Sequence, residues 1–178
     1  MHRDIKEIIY TPEQIQEKIR EIAAQISNDY KDKDLILIGV LKGCIIFMAD
    51  LSREITIQHK IDFIGTSSYG SSKKSSGQII ITKDITIDIR DKDILFIEDI
   101  FDTGQTLKAI IDLIKIHNPR SIEVCCLLYK KKINTPTLPI KYYGLEIPDD
   151  FVVGYGLDYN ECYRNLKFIG ILKEEIYK

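Results

Sequence analysis

The chain has no tryptophan, and neither sign of charge dominates: 25 Lys and Arg stand against 27 Asp and Glu, a formal net of −2. That balance argues against the broad basic footprint of sequence-independent nucleic-acid binding, although it leaves room for a local basic pocket. Cysteine is scarce too. Cys44, Cys125, Cys126 and Cys162 show neither CxxC spacing nor a histidine at a zinc-like interval, so they read as reduced thiols of a cytoplasmic protein rather than as a zinc or disulfide framework. Long apolar runs are missing: Leu35–Leu41 and Cys44–Ala49 are among the longest, far short of the roughly 20 residues that span a bilayer. Met1–Glu7 is charged and lacks the apolar stretch of a signal peptide. With 44% hydrophobic residues over 178 positions, the chain is too apolar for disorder and long enough to bury one core unaided.

What is present has a clear order. Thr11 is placed to cap a helix, with Pro12 at its first position and Gln14 completing a capping box. Ile15, Ile19, Ile22, Ala23 and Ile26 then recur at helical spacing and define one buried stripe. Leu35–Val40 is a continuous apolar run, as expected of a strand covered on both faces. Lys42-Gly43 interrupts, and Cys44–Arg53 predicts a second helix. Ile61–Ser68 and Ile79–Thr82 predict strands on either side of a loop, Gly70–Gly77, that has no apolar residue. Asp93–Ile97 predicts another strand, ending at Glu98-Asp99; a turn with Gly104 leads into a helix over Leu107–His117, stopped by Asn118-Pro119. Ile122–Tyr129 is β-rich, and its neighbours Cys125 and Cys126 should face opposite sides of a sheet. Strand, helix and strand joined by short connections predict an α/β fold with a mainly parallel sheet, in one domain over residues 1–178. Lys141–Lys178 alternates short apolar runs with turns and resists assignment.

The chemistry gathers after the Asp93–Ile97 strand, where ligands of open parallel sheets bind. Glu98, Asp99 and Asp102 place three carboxylates within five residues, which is costly unless a cation or a titrating substrate compensates. Thr103, Gly104 and Thr106 follow at a helix N-terminus, with small side chains, hydroxyls and free amides suited to phosphate. A metal-binding acid pair beside an anion seat fits a sugar phosphate; an acidic turn before a capped helix, with Asp102 as the cap, is the plainer alternative.

Ile94–Thr106 resembles the phosphoribosyl-pyrophosphate signature of the type I phosphoribosyltransferases, two acidic residues and then Asp-Thr-Gly-x-Thr after an apolar strand. Other segments are similar to the hypoxanthine-guanine members: Leu41-Lys42-Gly43 to the pyrophosphate loop, Ser67–Gly70 to the start of the mobile lid, Leu127–Lys130 to the base-reading strand, and Phe151–Glu161 to the purine clamp. The resemblance implies a mainly parallel twisted sheet flanked by helices, with a small hood formed by the chain termini. It also implies transfer of the 5-phosphoribosyl group from phosphoribosyl pyrophosphate to hypoxanthine or guanine, with Mg²⁺ as cofactor. By that resemblance Glu98 and Asp99 would hold the ribose hydroxyls and the metal, and Asp158 would be a second metal ligand. Asp102 would be the general base/acid at purine N7, and Thr103, Gly104, Gln105 and Thr106 would seat the phosphate. Lys42 and Gly43 would take the pyrophosphate, in a loop where the family carries a cis peptide, together with Arg164, six residues past Asp158. Ser68 and Tyr69 would close over the reacting centre. Ile100, Lys130, Phe151, Val152 and Asp158 would contact the purine: Lys130 at the 6-oxo group, Phe151 by stacking, Val152 through its backbone.

Alternatives remain at this stage. Lys130 opens the run Lys130–Lys132, which in isolation is a solvated turn. A phosphoribosyltransferase-like, RNA-binding regulator of a pyrimidine operon would share the signature but need a basic face, against which the net charge argues. The same chemistry on xanthine stays open, whereas Lys130 disfavours adenine, whose 6-amino group accepts poorly. Asp-Thr-Gly also opens aspartic protease sites, but those lie in all-β chains. Phe101 is bulkier than the aliphatic residue expected beside the catalytic Asp. His2, His59 and His117 fall in no motif. By resemblance the protein is expected to be a homodimer or homotetramer, with no nucleic-acid or membrane partner.

Overall fold

The capping box forms: the Gln14 N–H donates to Thr11 Oγ1 at 3.4 Å and the Thr11 N–H to Gln14 Oε1 at 2.9 Å. It starts α1 (Pro12–Asp29), whose buried residues are Ile15, Ile19, Ile22, Ala23 and Ile26. The structure is a computed structural model that describes residues 3–68, 79–130 and 138–178, with Ser67, Ser68 and Ile79 by backbone alone. The predicted loop Gly70–Gly77 and Tyr69 lie outside the described residues.

The apolar runs become a sheet of six strands. These are β2 (Leu35–Leu41), β3 (His59–Ser68), β4 (Ile79–Lys83), β5 (Asp93–Phe101), β6 (Ser121–Lys130) and β7 (Tyr142–Ile147), in the order β4-β3-β2-β5-β6-β7. All pair in parallel except β4, which runs antiparallel to β3. Alternate residues feed the two faces. Leu35, Leu37, Leu95, Ile97 and Cys125 pack with α1 and α2 (Ile45–Glu54), while Ile36, Ile38, Ile94, Phe96 and Cys126 pack with α3 (Gln105–Ile114). Both faces are therefore dry, which is why these strands read as unbroken apolar runs, and the adjacent cysteines do point opposite ways.

A second sheet joins distant parts of the chain: β1 (Ile5–Tyr10) pairs with β9 (Ile169–Leu172), and β9 with β8 (Val152–Val153), all antiparallel. A short helix α4 (Glu174–Tyr177) follows.

Two expectations shift. β5 does not end at Glu98-Asp99 but continues to Phe101, because Ile100 and Phe101 still pair with Leu128 and Tyr129 of β6. The helix predicted over Leu107–His117 begins at Gln105 and ends at Ile114, with a 3₁₀ turn over Lys115–His117 closed by Asn118 at φ 52°. The chain leaves β2 to build β3 on one side and returns to place β5 on the other. The loops after β2 and β5 therefore flank the switch point at which such sheets open a crevice.

Candidate active site

Leu41 ends β2, the Leu41–Lys42 peptide is cis, and Gly43 follows. Gly43 has no room for a side chain, since a Cβ there would stand 1.8 Å from Asp99 Oδ2. From the far side a Cβ on Gly156 would stand 2.2 Å from the Gly43 carbonyl oxygen. The Asp99 carboxylate and the Gly156 backbone thus both approach the Gly43 backbone closely, which the two glycines permit. Arg164 is held at this junction: Nη1 donates to Gly156 O at 2.8 Å, and Nη2 pairs with Asp158 Oδ1 at 2.8 Å and Glu161 Oε2 at 3.4 Å. The other Glu161 oxygen meets Lys42 Nζ at 3.1 Å, so one carboxylate bridges the two candidate pyrophosphate cations.

The acids of β5 are unlike surface carboxylates. Burial, with the neighbouring charge of Asp99, pushes Glu98 well above the usual range, and its Oε2 is enclosed without a hydrogen-bond partner. Burial also lifts Asp99, to about 6, against the Ile100 N–H that its Oδ1 accepts at 3.0 Å and the charge of Arg164; Asp158 adds to the rise. Two hard-oxygen donors that repel each other, one with an enclosed and unused oxygen, fit a hard divalent cation. Among the described residues no group of three or more His, Cys, Asp or Glu forms a ready cage. Asp158 faces Asp99 electrostatically, but Arg164 and the Glu161 N–H, at 2.8 Å, engage its oxygens.

The candidate phosphate seat is built on a left-handed residue. Gly104, at φ 67°, is the N-cap of α3, so the cap position falls two residues past Asp102. Thr103, Gln105 and Thr106 are exposed, and with Glu98, Ile100, Asp102 and Gly104 they line a small cleft. A Cβ on Gly104 would fall 2.6 Å from the Phe101 ring. The bulky Phe101, itself buried and stacked on Tyr129, therefore underlies the Gly104 turn.

On the other side of the crevice Lys130 ends β6, and it is not part of a solvated turn: its side chain is 13% exposed and Nζ pairs with Asp149 Oδ1 at 2.6 Å. That pair ties the main sheet to the segment preceding Phe151. Val152 is buried in β8, and the Phe151 carbonyl accepts from the Leu172 N–H at 2.9 Å. One face of the half-exposed Phe151 ring stacks on Tyr177 at 4.9 Å between centroids, and Tyr159 meets it edge-on at 5.6 Å. Ser68 is the last residue of β3.

Sequence reasoning placed Tyr155, Gly156 and Glu161 in the clamp-like segment without a role of their own, and passed over Tyr177. The two glycines flanking Tyr155 were the available signal for Gly156, whereas the others depend on contacts between distant segments.

The phosphoribosyl transferase domain family matches residues 7–160. A hypoxanthine-guanine phosphoribosyltransferase of Staphylococcus epidermidis is 46% identical over 177 residues, covering 99% of each chain. Among solved structures, a hypoxanthine phosphoribosyltransferase from Staphylococcus aureus superposes with a TM-score of 0.95 at 46% identity, covering 100% of this chain and 97% of that one. A Trypanosoma cruzi hypoxanthine phosphoribosyl transferase gives 0.93 at 35% identity, covering 99% and 96%.

Proposed function

The chain belongs to the phosphoribosyl transferase domain family, and from that premise we propose that it moves the 5-phosphoribosyl group from phosphoribosyl pyrophosphate to hypoxanthine or guanine, releasing pyrophosphate. The observation that carries this is the convergence of Gly43, Asp99 and Gly156 at the switch point, with Lys42 and Arg164 beside the buried acids. Lys42, Gly43 and Arg164 receive pyrophosphate; the amides and hydroxyls of Thr103–Thr106 seat the 5-phosphate; Glu98 and Asp99 hold the ribose. The transition state carries positive ribosyl character, which the nearby carboxylates stabilise. Asp102 takes or returns the purine N7 proton, a role worth roughly 10²–10⁴-fold. Lys130 donates to the 6-oxo group, Phe151 stacks on the ring beside Ile100, and the Val152 backbone reads its edge. Ser68 and Tyr69 cover the centre.

Mg²⁺ is the cofactor of this reading, held by Glu98 and Asp99 with substrate oxygens and water, and approached by Asp158. When bound, it neutralises the departing pyrophosphate. The four thiols, three of them buried and none paired, suit the cytoplasm. No helix among the described residues is long and apolar enough to cross a membrane. Ile45 and Ile61, 50% and 42% exposed, offer apolar surface for a homodimer or homotetramer.

Initial rates with hypoxanthine, guanine, xanthine and adenine, each with phosphoribosyl pyrophosphate and Mg²⁺, test the assignment. Hypoxanthine and guanine should lead, and chelator should abolish turnover. A preference for adenine, or full activity after exhaustive chelation, would overturn it.

A further inference from the structure

The turn between the purine clamp and Arg164 has an unusual backbone. Gly154, Tyr155 and Gly156 all lie at positive φ, at 99°, 50° and 103°. Glycine accepts this readily, but Tyr155 carries a Cβ and does so only against steric resistance. The far end of its side chain provides the anchor. Tyr155 is 5% exposed, and its hydroxyl donates to Asp50 Oδ2 on α2. Gln16 Nε2, from α1, donates to the same Asp50 oxygen at 2.9 Å and to Tyr155 Oη at 3.2 Å. Burial and the Asp50 carboxylate push the phenol's pKa up, so the hydroxyl remains a donor.

This anchored turn touches both sides of the crevice. Before it lie Phe151 and the β8 residues Val152–Val153. Within it, Gly156 packs against the Gly43 carbonyl, its N–H donates to Arg164 O at 3.0 Å, and its carbonyl accepts from Arg164 Nη1 at 2.8 Å. The helix it is pinned to, α2, begins directly behind Lys42-Gly43.

We propose that Tyr155, held by Asp50 and Gln16, is a positioning residue for the transfer: its hydroxyl fixes the spacing between the purine clamp and the pyrophosphate cations by pinning the Gly154–Gly156 turn to α1 and α2. The proposal rests on the assignment of Phe151 and Lys130 to the purine side and of Lys42 and Arg164 to the pyrophosphate side. Because one strut serves both sides, its loss weakens both substrates together.

Tyr155→Phe keeps the ring and removes the donor. It should raise KM for hypoxanthine and for phosphoribosyl pyrophosphate together, each by about fivefold or more. Asp50→Ala should reproduce this, and Asp50→Asn, which keeps an acceptor oxygen, should restore values near the parent. A lowered Tm with both KM values unchanged would make Tyr155 a packing residue only, and a rise in one KM alone would break the claimed coupling. Lys130→Ala and Arg164→Ala separate the two ideas. If the first spares hypoxanthine and the second spares phosphoribosyl pyrophosphate, the assignment of the sides fails, and the proposal with it.

Discussion

Asp102 stands between Glu98-Asp99 of β5 and the N-terminal amides of α3, two residues before the Gly104 cap. The role proposed for it is that of the general base/acid at purine N7. Asp102→Asn keeps the shape and removes proton acceptance, so kcat should fall roughly 10²-fold or more with a modest change in KM for phosphoribosyl pyrophosphate. Thr106→Ala, which loses only a phosphate hydroxyl, should raise that KM instead. Near-normal kcat with a lowered Tm in Asp102→Asn would return the residue to a structural role. The signature residues from Glu98 to Thr106 were legible in the sequence because they lie together along it. Glu161 was not: its bridging position depends on bringing Lys42 and Arg164, far apart in sequence, to the same place.

At the level of elements, local rules sufficed wherever one face or one cap decides the outcome. The α1 stripe and its capping box follow from spacing and hydrogen-bonding capacity alone. Thr11→Ala should accordingly cost roughly 0.5–2 kcal/mol of stability with kcat and KM unchanged; a denaturant titration beside an activity assay checks both. Where tertiary pairing decides, the sequence was less informative. β5 reaches Phe101 only because β6 offers partners that far. The strands β8 and β9 are 2 and 4 residues long, too short for any period to show, and their pairing spans the region that resisted assignment. The segment proposed as the purine clamp thus rests on elements that only the folded chain defines.

For the whole molecule, the buried acids set a cost that changes with pH. Asp99 titrates near 6 when folded against an ordinary 3.8, so between those values the folded state binds more protons than the unfolded one. Its favourable contribution is greatest at low pH and is lost as pH rises through about 6; Glu98, raised by burial and by Asp99, has the same sign. Asp62, lowered by Lys83 and by backbone N–H groups despite its burial, acts the opposite way, but its contribution is lost only as pH falls below the ordinary carboxylate range. From pH 5 to 7.5 the metal-free protein should therefore lose on the order of 1–3 kcal/mol, read as a falling Tm. Mg²⁺ with phosphoribosyl pyrophosphate should recover it at pH 7.5, and Glu98→Gln should flatten the curve. A Tm that climbs over this range in the metal-free protein would show that the acids are not held as described.

The small sheet β1-β9-β8 also imposes a schedule on biosynthesis. Among the described strands β1 is made first, and its partner β9 is made last. Until Ile169–Leu172 has emerged, β1 has no neighbour and Val152 has no edge to lie against. The strands of the main sheet end at Ile147, so a nascent chain can pair that sheet while β8 and β9 are still being translated. A stall between the two would leave the main sheet formed but without the Gly156 turn that packs on the Gly43 carbonyl.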